Sequence, residues 1–426
     1  MAAWKRCVPR ALLFGNTVRF HTGWLLDMIS LAEALRCIGE TIRPAPIIET
    51  PLADACGRVL ARDALSDIDS PPYDKSLVDG YAVVAQSGAA RTLRVLEEIT
   101  AGRLPRVAVD TGSASRIMTG AAIPRGADAV VMKEDTEDHG QTVRIGTSHI
   151  LPGQNILCRA TSFAAGQTVV AAGRTIRPLE VGILAEAGVT RVPVHAAADV
   201  SIIATGNELV AADTAPGPGR LRNSNGPMLT SAVRAAGAVA HDLGIVRDTM
   251  SELREAVARG LRSDFLILSG GVSVGVLDLV PRVLSELGVR EIFHGVRIKP
   301  GKPVWFGRHG ESDRRIGVFG LPGNPVSSFV GFELLVRAAL ARFHGHHDWQ
   351  PTMASACLAG PLDHHARRDA FYPARLRDSA DGRTAEPLPW RGSADLAALT
   401  HANALIHVPP GNETFSDGHR VDIVII

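Results

Sequence analysis

Between about Asp199 and Phe343 the chain alternates short apolar runs with amphipathic stretches, and each apolar run ends in glycine and small polar residues. No other feature restricts the fold as much. Val200-Ser-Ile-Ile-Ala204 reads as a strand, and a helix follows from about Pro227 to Ala236, stopped by Gly237. Thr249-Met-Ser-Glu252 is a capping-box signature opening a helix to Leu261. Phe265-Leu-Ile-Leu268 is a second buried strand, followed by a helix from about Leu279 to Leu287 that Gly288 ends. Ile316-Gly-Val-Phe319 is a third strand, and Pro325 opens a long helix to about Phe343. Such alternation predicts a mostly parallel sheet with helices on both faces, and ligands bind outside the carboxyl ends of the strands in such sheets.

Four loops of glycine, small polar and charged residues follow strand ends in this region. The first carries Thr205, Gly206 and Glu208. The second carries Ser269, Gly270, Gly271, Ser273 and Gly275, with Asp278 just beyond. The third holds Lys299, Pro300, Gly301 and Lys302, and the fourth Pro322, Gly323, Asn324, Pro325 and Ser327. Glycines let backbone N–H groups approach an anion closely, and helix N-termini favour negative charge. Lys299 and Lys302 add point charges for a phosphate or oxyanion. Glu208 and Asp278 are candidate ligands for a hard cation such as Mg²⁺. One such loop would be an ordinary turn; four at successive strand ends point to an anionic, phosphorylated small molecule.

The rest of the chain is organised differently. Residues 1–27 lack periodicity and read as a disordered extension, with helical spacing of Ile29, Ala32, Leu35 and Ile38 following. Residues 28–73 and 156–197 read as an N-terminal extended and linker domain, interrupted by a β domain over 74–155; 198–347 form the α/β domain and 348–426 a closing β domain. Lys+Arg is 45 against Asp+Glu 44, a balance that argues against nucleic acid as a partner. Cys7, Cys37, Cys56, Cys158 and Cys357 show no CxxC spacing, and no apolar run approaches ~18 residues. Both fit a cytoplasmic protein without a membrane span. Gly271-Val-Ser-Val-Gly275 matches a nucleophile elbow, but Ser269-Gly270 intervene after the strand, which argues against a serine hydrolase. The cluster His344-Gly-His-His347 follows a helix C-terminus, where histidines suit the dipole without a metal.

Eight ordered segments resemble the molybdopterin molybdotransferase family, which includes MoeA and the gephyrin E domain. They are Val78-Asp-Gly-Tyr-Ala-Val83, Arg116-Ile-Met-Thr-Gly120, Gly126-Ala-Asp-Ala-Val-Val131, Pro152-Gly-Gln-Asn-Ile156, Thr205-Gly206, Ser269–Gly275 with Asp278, Ile298–Pro303 and Gly320–Ser327. The resemblance implies a multidomain α/β plus β fold. Its doubly wound α/β domain is MogA-like, with an N-terminal extended region, an inserted β domain and a C-terminal β-barrel-like domain. It implies a homodimer whose active site joins the α/β domain of one subunit to the inserted β domain of the other. The implied reaction inserts molybdate into adenylylated molybdopterin with Mg²⁺-dependent release of AMP. A molybdopterin adenylyltransferase and molybdoenzyme apoproteins are the implied further partners. Carried over by position, the functional residues are Asp79, Thr119, Glu208, Asp248, Asp278, Lys299, Lys302, Pro322 and Pro325. Asn207, Asn223 and Ser162 stand where the family usually has carboxylates, at places expected for a metal and a general base. The competing reading is therefore a catalytically weakened paralogue acting as a cofactor carrier or regulator.

Overall fold

The computed structural model describes residues 28–85, 91–147, 149–272, 279–310, 316–380 and 382–426. The chain divides into two units. One contains the described residues through Ile48, Gly57–Ala61 and Val194–Ile426; the other contains Glu49–Cys56 and Arg62–Pro193.

The first unit is built on a six-stranded sheet in the order Val239–Val246, Asp199–Thr205, Phe265–Ser269, Ile316–Leu321, Trp305–His309, Arg290–His294. The first four strands pair in parallel. Trp305–His309 runs against both of its neighbours, so Arg290–His294 again points the same way as the four. Phe265–Ser269 and Ile316–Leu321 are buried along their whole length, which explains their continuous apolar sequence: helices cover both faces. On one face Leu229 and Val233 from helix Asn225–Ala235 pack with Phe265 and Phe319, as do Val326, Val330 and Leu340 of the long helix. On the other, Leu253 and Val257 from helix Met250–Gly260 meet Val280, Val283 and Leu284 from helix Val280–Glu286. The long helix is one rod in three parts, Pro325–Gly331, a π-helical turn Phe332–Val336, and Arg337–Phe343.

Two expectations shift in detail. Thr249 caps its helix by accepting from the Glu252 N–H at 3.4 Å, but the Glu252 carboxylate reaches the Arg247 N–H and so leaves the box half closed. The N-terminal helix begins at Leu31, after a complete capping box between Ser30 and Glu33. Its buried residues Leu35 and Ile38 join the core of the α/β sheet, so this helix belongs physically to that unit.

The C-terminal β region closes on itself. Asp369–Ser379 pairs with Gly382–Pro387, which pairs with Met353–Leu358, then Arg420–Ile425, then Ala404–Val408, which returns to Asp369–Ser379. Five strands thus form a barrel without free edges. Ile298–Lys299 adds to it in parallel, opposite Asp369 and Ala370.

The second unit centres on another six-stranded sheet, ordered Ala129–Met132, Gly80–Val83, Ser113–Ile117, Arg91–Ile99, Thr142–Ile145, Thr136–Asp138. Its two faces bury separate cores, one around Tyr81 and Val131, the other around Ala82 and Ile117. Gly80 is required by space, since a Cβ there would lie 1.9 Å from the Val131 carbonyl oxygen. The flanking segments pair as short antiparallel ribbons and lead to helix Pro178–Glu186. Among the described residues no helix is long and apolar enough to cross a membrane.

The buried His344 makes stability pH-dependent. Burial, reinforced by His346, Arg58 and His195 nearby, pushes its pKa from 6.5 down to about 4. The folded state therefore binds fewer protons than the unfolded state between those values, and stability falls as pH drops below 6.5, levelling off near 4. The full shift corresponds to about 3 kcal/mol. Urea unfolding at pH 7 and pH 4.5 should show this loss, and His344→Gln, which can still accept from the Ala198 N–H, should lose much less.

Candidate functional site

The parallel ladders bring the first, second and fourth loops to one sheet edge. Thr205 ends its strand buried, and the Glu208 carboxylate folds back over Gly206, where an added Cβ would lie 2.7 Å from Glu208 Oε2. Asn207 Oδ1 accepts from the Asp248 N–H at 3.2 Å, which fixes Asp248 at the rim of this loop. Gly270 adopts φ +96° and Gly271 φ +62°, and a Cβ on Gly270 would strike the Thr205 carbonyl oxygen at 2.4 Å. The Gly270 N–H donates to the Leu321 carbonyl at 3.0 Å, tying the second loop to the start of the fourth.

Asn225, at the start of its helix, clamps these loops. Its Nδ2 donates to Ser269 Oγ and to the Gly323 carbonyl, both at 2.8 Å. The Asn225 Oδ1, the Thr205 hydroxyl and the Ser328 hydroxyl are buried without a hydrogen-bond partner among the described residues. Asn223, one of the lost-carboxylate positions, is also buried, and its Oδ1 accepts from the Gly226 N–H at 2.9 Å. It therefore caps the helix from inside.

The third loop meets the barrel. Lys299 Nζ donates to the His365 carbonyl at 3.4 Å, and Arg368 donates to the Ile298 carbonyl at 3.0 Å. Burial lowers the Arg368 pKa. Across from them, Asn324 Nδ2 donates to Ser393 Oγ at 2.9 Å and the Val326 N–H to the Ser393 carbonyl at 3.1 Å. Between these contacts lies a cleft of about 610 Å³. Pro300, Gly301, Lys302, Pro322 and Ser327 line it from the α/β side. Its charged lining is Lys299, Lys302 and Arg368 against the single carboxylate Asp363, so it is net cationic. Tyr372 and Trp390 form an aromatic wall, edge to face at 6.3 Å between centroids. The barrel residues were not among the sequence candidates. They follow no motif spacing, and only Trp390-Arg-Gly-Ser393 shares the small polar character of the other loops.

In the second unit Asp79 Oδ1 accepts from the Thr119 N–H at 2.8 Å and from its hydroxyl at 2.7 Å. Those two bonds, with Lys133 4.0 Å from the other oxygen, hold the Asp79 carboxyl below its ordinary pKa. Asp79 is thus a fixed anion and Thr119 its positioned donor. Ser162 is exposed in the same unit, with its N–H on the Ser70 carbonyl. Ser273, Gly275 and Asp278 lie outside the described residues. Of the candidate metal pair the structure therefore places Glu208, and no three His, Cys, Asp or Glu side chains form a metal-holding group among the described residues.

Comparison with known proteins gives this arrangement a family. Residues 29–188 match the MoeA N-terminal region (domain I and II), 201–342 the probable molybdopterin binding domain, and 355–426 the MoeA C-terminal region (domain IV). A molybdopterin molybdenumtransferase of Staphylococcus epidermidis is 32% identical over 406 residues, spanning 93% of this chain and 95% of its own. One from Staphylococcus aureus is 32% identical over 410 residues with the same coverage. The crystal structure of the molybdopterin biosynthesis moeA protein from Pyrococcus horikoshii OT3 superposes with a TM-score of 0.80 at 29% identity, covering 94% of this chain and 100% of that one. The chain belongs to the MoeA family of molybdopterin molybdenumtransferases.

The Asn225 clamp is open to test. Asn225→Ala leaves Ser269 Oγ and the Gly323 carbonyl without their donor, and an unmatched buried polar group costs about 1–3 kcal/mol. Urea titration should show a stability loss in that range. No change would mean that other groups hold the loops together.

Proposed function

We propose that this chain inserts molybdate into adenylylated molybdopterin and releases AMP, with the third-loop cleft as the place where the oxyanion is held. The observation that carries this reading is the net cationic lining of Lys299, Lys302 and Arg368 beside glycine-rich loops whose backbone can approach a phosphate. Arg368 offers a planar fork and the lysines offer mobile point charges, a combination suited to a tetrahedral dianion. Trp390 and Tyr372 supply a flat apolar surface for a ring system.

Mg²⁺ fits the sheet edge in a limited way. Glu208 is the one described carboxylate among the candidate ligands, and Mg²⁺ is typically held by one or two carboxylates together with substrate phosphates. Bound there, it would offset phosphate charge during cleavage. The chain's own part is to present the Glu208 oxygens, hold Asp248 through Asn207, and orient the phosphate on the loop N–H groups. The homodimer belongs to the same proposal. Helix Pro178–Glu186 carries Leu179 75% exposed, with Val181 and Ile183 partly so, an apolar surface suited to a second copy. The cell compartment is the cytoplasm, where an adenylyltransferase would deliver substrate and apoenzymes would collect product.

Two measurements test this. Lys299→Ala should weaken binding of adenylylated molybdopterin by roughly 10- to 100-fold, since a hydrogen bond to a charged group is worth about 1.5–3 kcal/mol, with little change in melting temperature. Unchanged affinity by calorimetry would remove the cleft from the site, and tight binding without any AMP release would favour the carrier reading. Sedimentation at micromolar concentration should give a dimer; a monomer alone would sink that part.

A further inference from the structure

The histidines that end the long helix play no part in the candidate site. His344 and His346 line, with His195, Arg58 and Gly237, a separate cavity of about 40 Å³. His344 Nε2 accepts from the Ala198 N–H at 3.1 Å, so the neutral ring carries its proton on Nδ1. His195 Nδ1 donates to the Ala45 carbonyl at 2.8 Å, so the position of this ring is fixed from its other side. The groups that act electrostatically on His344 are His346, Arg58 and His195, and no carboxylate is among them. Arg58 is partly buried and has no hydrogen bond or ion pair among the described residues.

Three imidazoles in one place suggest a metal, but the described residues include no group of three ligands able to hold one, and the Arg58 guanidinium would repel a cation. What the cluster lacks, among the described residues, is negative charge. A guanidinium drawn partly out of water without a counter-charge is costly, and a small anion removes that cost. The volume admits one such ion with little water beside it and excludes a nucleotide or a pterin.

We propose that this cavity binds a small monovalent anion of halide size, held between Arg58, His195 and His346. Burial disfavours the charged form of His346, and an anion beside it offsets that, so binding takes up a proton there and strengthens as pH falls. The groups facing it are Arg58, His195, His344 and His346, all bases. The site is distinct from the Lys299 cleft, with which it shares no lining residue.

The test uses the full chain and bromide. Replacing gluconate by bromide at constant ionic strength should raise Tm by about 2–4 °C at pH 6 and by less at pH 8. Crystals soaked in bromide should show an anomalous peak in the cavity. Arg58→Gln should abolish the rise in Tm, and Arg58→Lys should keep part of it. The proposal is overturned by an empty cavity in the bromide crystal, or by a rise that Arg58→Gln leaves intact. A peak with no effect on Tm would also overturn it, as an adventitious ion only. If Arg58→Gln does not fold, the unaltered protein's peak and the Arg58→Lys titration still decide.

Discussion

The parallel ladder between Phe265–Ser269 and Ile316–Leu321 determines where chemistry can occur in the α/β unit. Ser269 sits opposite Leu321, and Ala204 of the next strand sits opposite Ser269, so three strands leave the sheet at one level. Their loops must start side by side. That crowding selects the residues: a Cβ on Gly320 would lie 2.6 Å from Val272, just as one on Gly270 would strike Thr205. The glycines that mark an anion-binding site in the sequence are thus also what lets the loops fit together. The two roles reinforce each other, because backbone close enough to pack tightly is backbone close enough to meet a phosphate.

The opposite wall of the cleft depends on a different constraint, the closure of the barrel. Ile298–Lys299 is only two residues long, but its pairing with Asp369 and Ala370 carries the third loop onto the barrel surface. Arg368, one residue before that strand, then reaches the Ile298 carbonyl. Ser393 completes the join from the other side through Asn324 and Val326. Sheet hydrogen bonds therefore fix the backbone at Lys299 beside the barrel, and its Nζ reaches the His365 carbonyl at 3.4 Å.

This division explains what could be read in advance. The strands near Val200, Phe265 and Ile316 are legible because burial on both faces makes them predominantly apolar, and helix ends are legible at Gly237 and Gly288, both with positive φ. Trp305–His309 is not: Trp-Phe-Gly-Arg-His neither alternates nor stays apolar, and its antiparallel place is fixed by partners on both sides. The helix Leu31–Thr41 shows its stripe plainly, but nothing local says which core Leu35 and Ile38 will join. Arg368, Tyr372 and Ser393 enter the cleft only through barrel closure, and no residue spacing announces that. Asn225 stood in view beside Asn223, yet its value as a clamp depends on Ser269 and Gly323, distant in sequence.

Thr205 Oγ1, Asn225 Oδ1 and Ser328 Oγ are each buried with no partner among the described residues, and all three lie on strands or helix starts that feed the loops. A core designed only for stability would place apolar groups of similar shape there, since a valine matches threonine in volume without the desolvation penalty. Retaining hydroxyl and amide oxygens is favourable where water or a polar ligand completes their hydrogen bonds. Asn225 joins the two halves of this reasoning: its nitrogen is fully used in holding the loops, while its oxygen remains available. A substitution that preserved only the clamp would rebuild the scaffold and leave the acceptor missing, so folding and ligand recognition at this residue are separable properties of one amide.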